Sequence, residues 1–575
     1  MCRRWPRRCT PCSRTRGWRG GCAPRAPFVQ CDSPGARRPA APPPFIRRRS
    51  PLERVEPVEP QSEAGSRGGI GRRLAANTLH AASGRVVSVL LWLVFTPRIL
   101  RALGTEGYAI WSLFFALTGY LSAFDLGLVQ GTLRHVAGAR ARDAHEEAGA
   151  FATLGVLGFF TLGLAWIALL GLLGDLALRL LHVPPAQAGV ARFALIAGGA
   201  AFALAGVVNV VTSVLQAYGR FDLANSVAVA ITIFQGLGIL LALRFGLGIR
   251  GLVLGMMASW LLGLLCASLL LRLNIRDLRW SSWPRARPHL REALAFGGPM
   301  QLAGIFSAVH LQLDKFLLGA FIALAAITPY DLGARVAISA SVFPQFLLLA
   351  VLPTAAAFHA TQDRERLREL YRRGARFVLS AGAVVLAVVL GAGSRVFVAW
   401  LGPGHEDSAT VLRALALGFA VALTTGMGTT LVRGIGRPDV EARFAGVVAG
   451  SHLLLSLVLI PGWGLRGALV AWVVSNAAGS VYFLTRFRSL FGWTRREVLL
   501  TPHLVPALAV TAGWLSAMAL DRVMPASSGI VAWIAAAALG GVSALVVLGV
   551  LTVARYVNPQ EIRVLLTYPR RRMAR

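Results

Sequence analysis

Residues 310–319 read HLQLDKFLLG. They set Asp314 beside Lys315, the only lysine in the chain, within a run from Ala293 to Ala326 that carries no other charge. That run is long enough to cross a bilayer, which needs roughly 20 apolar residues. A charge at such a depth costs about 2.5–3.5 kcal/mol on insertion scales, so a functional task is its default reading. On a helix, residues four apart share a face, whereas neighbours point about 100° apart. His310 and Asp314 then form one polar edge, and Gln312 and Lys315 an adjoining one. Such a stripe avoids lipid only by facing other helices or a watery cavity. We expect Asp314 and Lys315 to look together into an aqueous chamber, the competing reading being an internal ion pair that locks two helices.

Working outward, composition sets the class. The chain has 575 residues, of which 55% are hydrophobic and 15% charged, with a mean hydropathy of +0.61. This is far too apolar for a soluble protein and implies a polytopic, all-α membrane protein. The formal charge of +33 does not argue for nucleic acid, because in a membrane protein the position of the arginines matters more than their number. Arginine in place of lysine, with abundant Ala, Gly and Leu, suggests a GC-rich bacterial genome. Five cysteines, Cys2, Cys9, Cys12, Cys22 and Cys31, lie near the N-terminus, and the sixth is Cys266. Cys9 and Cys12 form a CxxC with no second pair at zinc-ligand spacing, so neither a metal site nor a disulfide framework is expected.

Residues 1–75 are rich in Arg and Pro, have no apolar run, and read as a disordered cytoplasmic tail unlike a signal peptide. Fourteen apolar segments follow between residues 76 and 554. The loops near Arg134, Arg220, Arg272, Arg364, Arg433 and Arg486 and the tail from Arg555 hold most of the loop arginines. By the positive-inside rule that places both termini in the cytoplasm.

The segments repeat. GLGIRGLVLGMMAS from Gly246 recurs as GWGLRGALVAWVVS from Gly462, and AYGRFDLANS around Asp222 as GIGRPDVEAR around Asp439. The same offset places Arg98 opposite Lys315. The chain thus divides into an N-lobe over 76–272, a C-lobe over 273–490, and two further helices with a basic tail over 491–575. Two like halves around a midplane site imply alternating access. Asp222 and Asp439 read as helix caps, Asp125 as a helix-end or gate residue, and His80 and His452 as single packed polar residues. Asp331 and Arg335, four apart, are placed to neutralise each other. Arg85 has no carboxylate in reach on its own segment, which leaves it for a partner across the cavity or an anionic ligand.

FTPRILRALGTEGYAIWSLFFALTGYLSAFDLGLVQGTLRHVA (95–137) and HLQLDKFLLGAFIALAAITPYDLGARV (310–336) resemble the polysaccharide-biosynthesis exporters, the Wzx-type O-antigen flippases, within the superfamily that also holds MATE drug exporters and lipid II flippases. The resemblance covers about residues 76–490. It implies two six-helix lobes in a V plus two C-terminal helices, and transfer of undecaprenyl-diphosphate-linked oligosaccharide to the outer leaflet. It further implies Arg85, Lys315, Arg335 and Gln312 as substrate contacts, Asp314 and His310 as coupling residues for H+ or Na+, and no other cofactor. Anionic membrane lipids and the polysaccharide polymerase machinery are the expected partners, in the bacterial inner membrane. The alternatives are a MATE-type antiporter, which favours a net acidic cavity, and a lipid II-type flippase, which carries a denser row of cavity arginines than this chain shows. A membrane-embedded enzyme is disfavoured, since no DxxD, HExxH, GxSxG or Walker sequence is found.

Overall fold

The computed structural model describes the backbone of residues 67–557, apart from 123–124, 126, 349–350 and 526–527, and the side chains from residue 91 on, apart from 119–122, 294–303, 353 and 438. Most of the N-terminal tail and the side chains of His80 and Arg85 lie outside that description. Fifteen α-helices follow one another: α1 (Arg67–Ser122), α2 (Leu128–Ala141), α3 (His145–Leu180), α4 (Pro185–Ala217), α5 (Phe221–Arg244), α6 (Gly248–Asn274), a short α7 (Trp283–Ala286), α8 (Leu290–Phe321), α9 (Ile327–Gln345), α10 (Val351–Ala360), α11 (Arg364–Leu401), α12 (Glu406–Gly434), α13 (Pro438–Phe491), α14 (Leu504–Val523) and α15 (Gly529–Val553). No strand occurs among the described residues, as expected where a bilayer offers no water to free backbone groups. Among the described residues, nine helices are long and apolar enough to cross a membrane.

Two of the helices carry a pair of predicted segments each. In α1 the first two segments meet at Gly104, at φ +69°, and in α13 the eleventh and twelfth meet at Gly464, at φ +55°. Positive φ is cheap only for glycine, so one residue redirects the rod. The internal repeat is visible at the same level of detail. Gly219 and Gly436 turn the chain at φ +78° and +76°. Each is followed by an arginine whose guanidinium forks onto an aspartate: Arg220 onto Asp222 at 3.1 and 3.0 Å, and Arg437 onto Asp439 at 2.9 and 3.1 Å. Both aspartates were expected as caps; they lie in the first helical turn and hold an arginine. The copies differ at their second turn. Gly246 and Gly248 both adopt positive φ and break α5 from α6, whereas Gly464 does so without a second glycine and α13 stays continuous.

Large apolar side chains point outward, among them Leu172 (80% exposed) and Val458 (74%), as a lipid-facing sheath requires. Inside, one cluster joins the two halves, with Ile99, Tyr108 and Trp111 of α1 packed among Leu318, Ile327, Tyr330 and Leu332. The last two helices rest on α11 through small residues, the usual device for close helix approach in lipid. A Cβ at Gly391 would stand 2.6 Å from both Ala517 Cβ and Ser543 Oγ. We predict that Gly391→Leu prises α14 and α15 from α11 and lowers stability by about 1–3 kcal/mol, the usual cost of overpacking. Thermal unfolding in lipid nanodiscs that matches the wild type would refute this contact.

Candidate functional site

Asp314 and Lys315 are neighbours in sequence, and the helix turns them to opposite sides. Each joins its own polar network, and the two networks meet again at Tyr330 and Asp331 on α9. Neither looks into open space: Asp314 is 1% and Lys315 6% exposed. This corrects the shared-chamber expectation. Two intramembrane charges without water are stable only where protein groups satisfy them, and here each finds a different set.

The first network ties the halves together. Lys315 Nζ lies 2.6 Å from Asp331 Oδ1, while Arg335 Nε donates to Asp331 Oδ2 at 2.6 Å and Tyr108 Oη donates to the same oxygen at 3.0 Å. Tyr108 comes from α1 in the first half, the other three from α8 and α9. Arg335 was expected to pair with Asp331 one helical turn away, and does. Lys315 enters as a second cation on the same carboxylate, which spacing along one helix does not reveal. The Arg335 guanidinium also lies over Trp92 and Phe115, 4.7 and 5.4 Å from their ring centres, the stacking that suits a weakly hydrated planar cation. Thr328 Oγ1 donates to the Thr105 carbonyl at 2.6 Å beside this cluster, so this end of the half–half contact is sealed.

The second network lies within the C-terminal half. Asp314 Oδ2 accepts from Tyr330 Oη at 2.6 Å, and Oδ1 from Ser456 Oγ at 3.1 Å. His452 Nε2 stands 3.2 Å from Oδ1. His310, one turn along α8, meets His452 Nδ1-to-Nδ1 at 3.1 Å and Asn476 Nδ2 through its Nε2 at 3.2 Å. Its ring stacks on Trp472 at 4.2 Å, nearly parallel at 8°. His310 and Asp314 thus share a polar edge as predicted, and that edge faces α13. His452, Asn476, Ser456 and Tyr330 were not singled out for this site. The signal that would have found His452 and Ser456 is their four-residue spacing, which repeats that of His310 and Asp314 and so marks two polar edges that can face each other.

Gln312 Oε1 is buried with no hydrogen-bond partner among the described residues. Asp125 lies in the break between α1 and α2, where its Oδ1 accepts from the Gly127 N–H at 2.9 Å, a local turn bond. At the end of the bundle bearing the 275–289 connection, a cavity of about 790 Å³ is lined by residues including His145, Glu146, Arg276 and Arg285. No residue of either network borders it.

Comparison with known proteins follows from this architecture. The family described as polysaccharide biosynthesis protein matches residues 187–421. A protein named putative O-antigen transporter from Shigella flexneri is 20% identical over 420 residues, which span 72% of this chain and 98% of that one. The chain is similar to polysaccharide-biosynthesis proteins and O-antigen transporters. A lipid II flippase in an inward closed conformation superposes on this chain with a TM-score of 0.63 at 14% identity, covering 83% of this chain and 98% of the other. An inward-facing MATE multidrug transporter gives 0.58 at 17% identity, covering 70% and 94%. At those identities the likeness is one of fold.

The geometry makes Asp331 the keystone of the first network. Asp331→Asn leaves Lys315 and Arg335 buried without their counter-charge, a change that costs about 3–5 kcal/mol. Lys315→Met leaves Asp331 paired with Arg335 and should cost clearly less, and adding Lys315→Met to Asp331→Asn should return part of the loss. Nanodisc melting of the three variants checks this, and equal losses in both single variants would contradict it.

Proposed function

We propose that this transporter moves an undecaprenyl-diphosphate-linked oligosaccharide, an O-antigen or exopolysaccharide repeat unit, from the cytoplasmic to the outer leaflet of the bacterial inner membrane. Alternating access carries it, with H+ or Na+ exchange at Asp314 biasing which side opens. One observation supports this reading above the others: a lone carboxylate, Asp331, is held by two cations, Lys315 and Arg335, where the halves meet. The cluster keeps a surplus positive charge where the halves meet, which suits an anionic ligand. A diphosphate offers both cations the same oxygen chemistry that Asp331 offers them, and a guanidinium binds it with paired hydrogen bonds. As the ligand takes over those donors, Asp331 is freed and its link to Tyr108 loosens, so that binding itself unlocks the seal.

A MATE-type antiporter for cationic drugs calls for the opposite balance, a surplus of acid in the path. The arginine-rich connection from Arg276 to Arg291, with Trp280 and Trp283 about half exposed, suits the anionic headgroups of the cytoplasmic leaflet. A polysaccharide polymerase on the outer side would consume the product.

The test is flipping of an undecaprenyl-diphosphate-linked oligosaccharide in proteoliposomes. Lys315→Gln should slow it by about tenfold or more, the worth of one charged hydrogen bond of 1.5–3 kcal/mol, and Lys315→Arg should keep most of it. Wild-type rates in Lys315→Gln would remove the cationic cluster from the transport path.

A further inference from the structure

We infer that His310 and His452 form a two-ring proton wire, one hydrogen at a time, between Asp314 and the end of the bundle that bears the 275–289 connection. The inference rests on the coupling role proposed for Asp314 and names the ion as a proton. It begins from Asn476, whose Nδ2 donates to the Trp472 carbonyl at 2.8 Å and also meets His310 Nε2 at 3.2 Å. An amide nitrogen only donates, so His310 Nε2 accepts and carries no hydrogen. The hydrogen of neutral His310 is therefore on Nδ1, which donates to His452 Nδ1 at 3.1 Å. His452 Nδ1 accepts, so its hydrogen is on Nε2, 3.2 Å from Asp314 Oδ1. One fixed amide thus sets the tautomers of both rings in turn.

Asp314 accepts hydrogens from Tyr330 of α9 and Ser456 of α13, and His452 Nε2 of α13 stands 3.2 Å from its Oδ1. That is the environment of an ionised, unloaded carboxylate. The same bookkeeping disfavours a metal ion, since all four imidazole nitrogens are already committed: two hold hydrogens and two accept them.

Loading is then a balanced shift along the row. A proton reaches His310 Nε2 as Asn476 releases it; the Nδ1 hydrogen of His310 passes to His452 Nδ1; the Nε2 hydrogen of His452 passes to Asp314 Oδ1. Three N–H or O–H bonds form while the carrier's bond and two N–H bonds break, and both rings end neutral in the opposite tautomer. Discharge runs the same steps backward. The hydrogen on His452 Nε2 has no aligned acceptor at rest, so its transfer to Asp314 Oδ1 requires the ring to rotate. His310 is half-buried and lies one helical turn along α8 from Asp314 toward the 275–289 connection. The wire therefore runs from Asp314 one helical turn in that direction, while Tyr108 and Thr328 hold the opposite end of the half–half contact.

The experiment is 15N NMR of the full-length protein, labelled with 15N-histidine and reconstituted in liposomes, with His310→Gln and His452→Gln used to assign the two rings. At neutral pH we expect His310 protonated at Nδ1 and His452 at Nε2. On acidification both should reverse together, and in Asp314→Asn neither should reverse. Rings that hold other tautomers, switch independently of Asp314 or become cationic overturn the wire. A second arm follows flipping of an undecaprenyl-diphosphate-linked oligosaccharide. A gradient of one pH unit should shift its distribution by up to about tenfold, His452→Phe should lose that response while gradient-free flipping persists, and a response to sodium alone overturns the proton assignment. Concerted reversal in a protein that flips no such lipid would retain the wire and reject the substrate.

Discussion

Everything in the centre of this protein follows from the burial of Asp331. A bilayer cannot solvate a carboxylate, and a protein interior tolerates one only when its charge is matched and its oxygens are filled. Lys315, Arg335 and Tyr108 meet that demand from three helices and both halves of the chain. The position of the halves is therefore coupled to the ionic state of a single side chain. In the proposed cycle, a ligand that competed for the same donors would alter that state without deforming any helix, converting a small chemical event into a larger rearrangement.

The second network has the opposite character. It is neutral apart from Asp314, lies within one half, and is built from rings and hydroxyls whose hydrogens can change owner without a change of shape. The two networks share helices α8 and α9 and touch at consecutive residues, Asp314 with Lys315 and Tyr330 with Asp331. A change of charge on one side of α8 is thus felt by groups packed on the other, through the same two turns of backbone.

Much of the fold was legible in the sequence. Long apolar segments, the duplicated Gly-rich turns and the matching Arg-x-Asp pairs all report local events, and local events are what a linear text records well. The cations were legible too, since a lone lysine in an apolar run stands out. Partner choice was not. Asp314 and Lys315 read as a pair because they are adjacent, yet a helix separates neighbours by about 100°, and their true partners lie far along the chain at His452, Ser456 and Asp331. The Asp331–Arg335 bond was readable because it obeys helical spacing. His452 was not singled out for this site, because its only mark is the four-residue spacing to Ser456, which shows its significance only beside the matching His310–Asp314 pair. Arg85, whose side chain lies outside the described residues, stays a sequence reading.

The single-glycine bends at Gly104 and Gly464 have a mechanical corollary. Where one residue alone parts two long rods, there is no slack tether to absorb a tilt, and leaning one rod turns the other by the same torque. Each such elbow makes its two arms a lever, so a push delivered at one rim of the bundle is delivered, inverted and undamped, to the neighbouring arm.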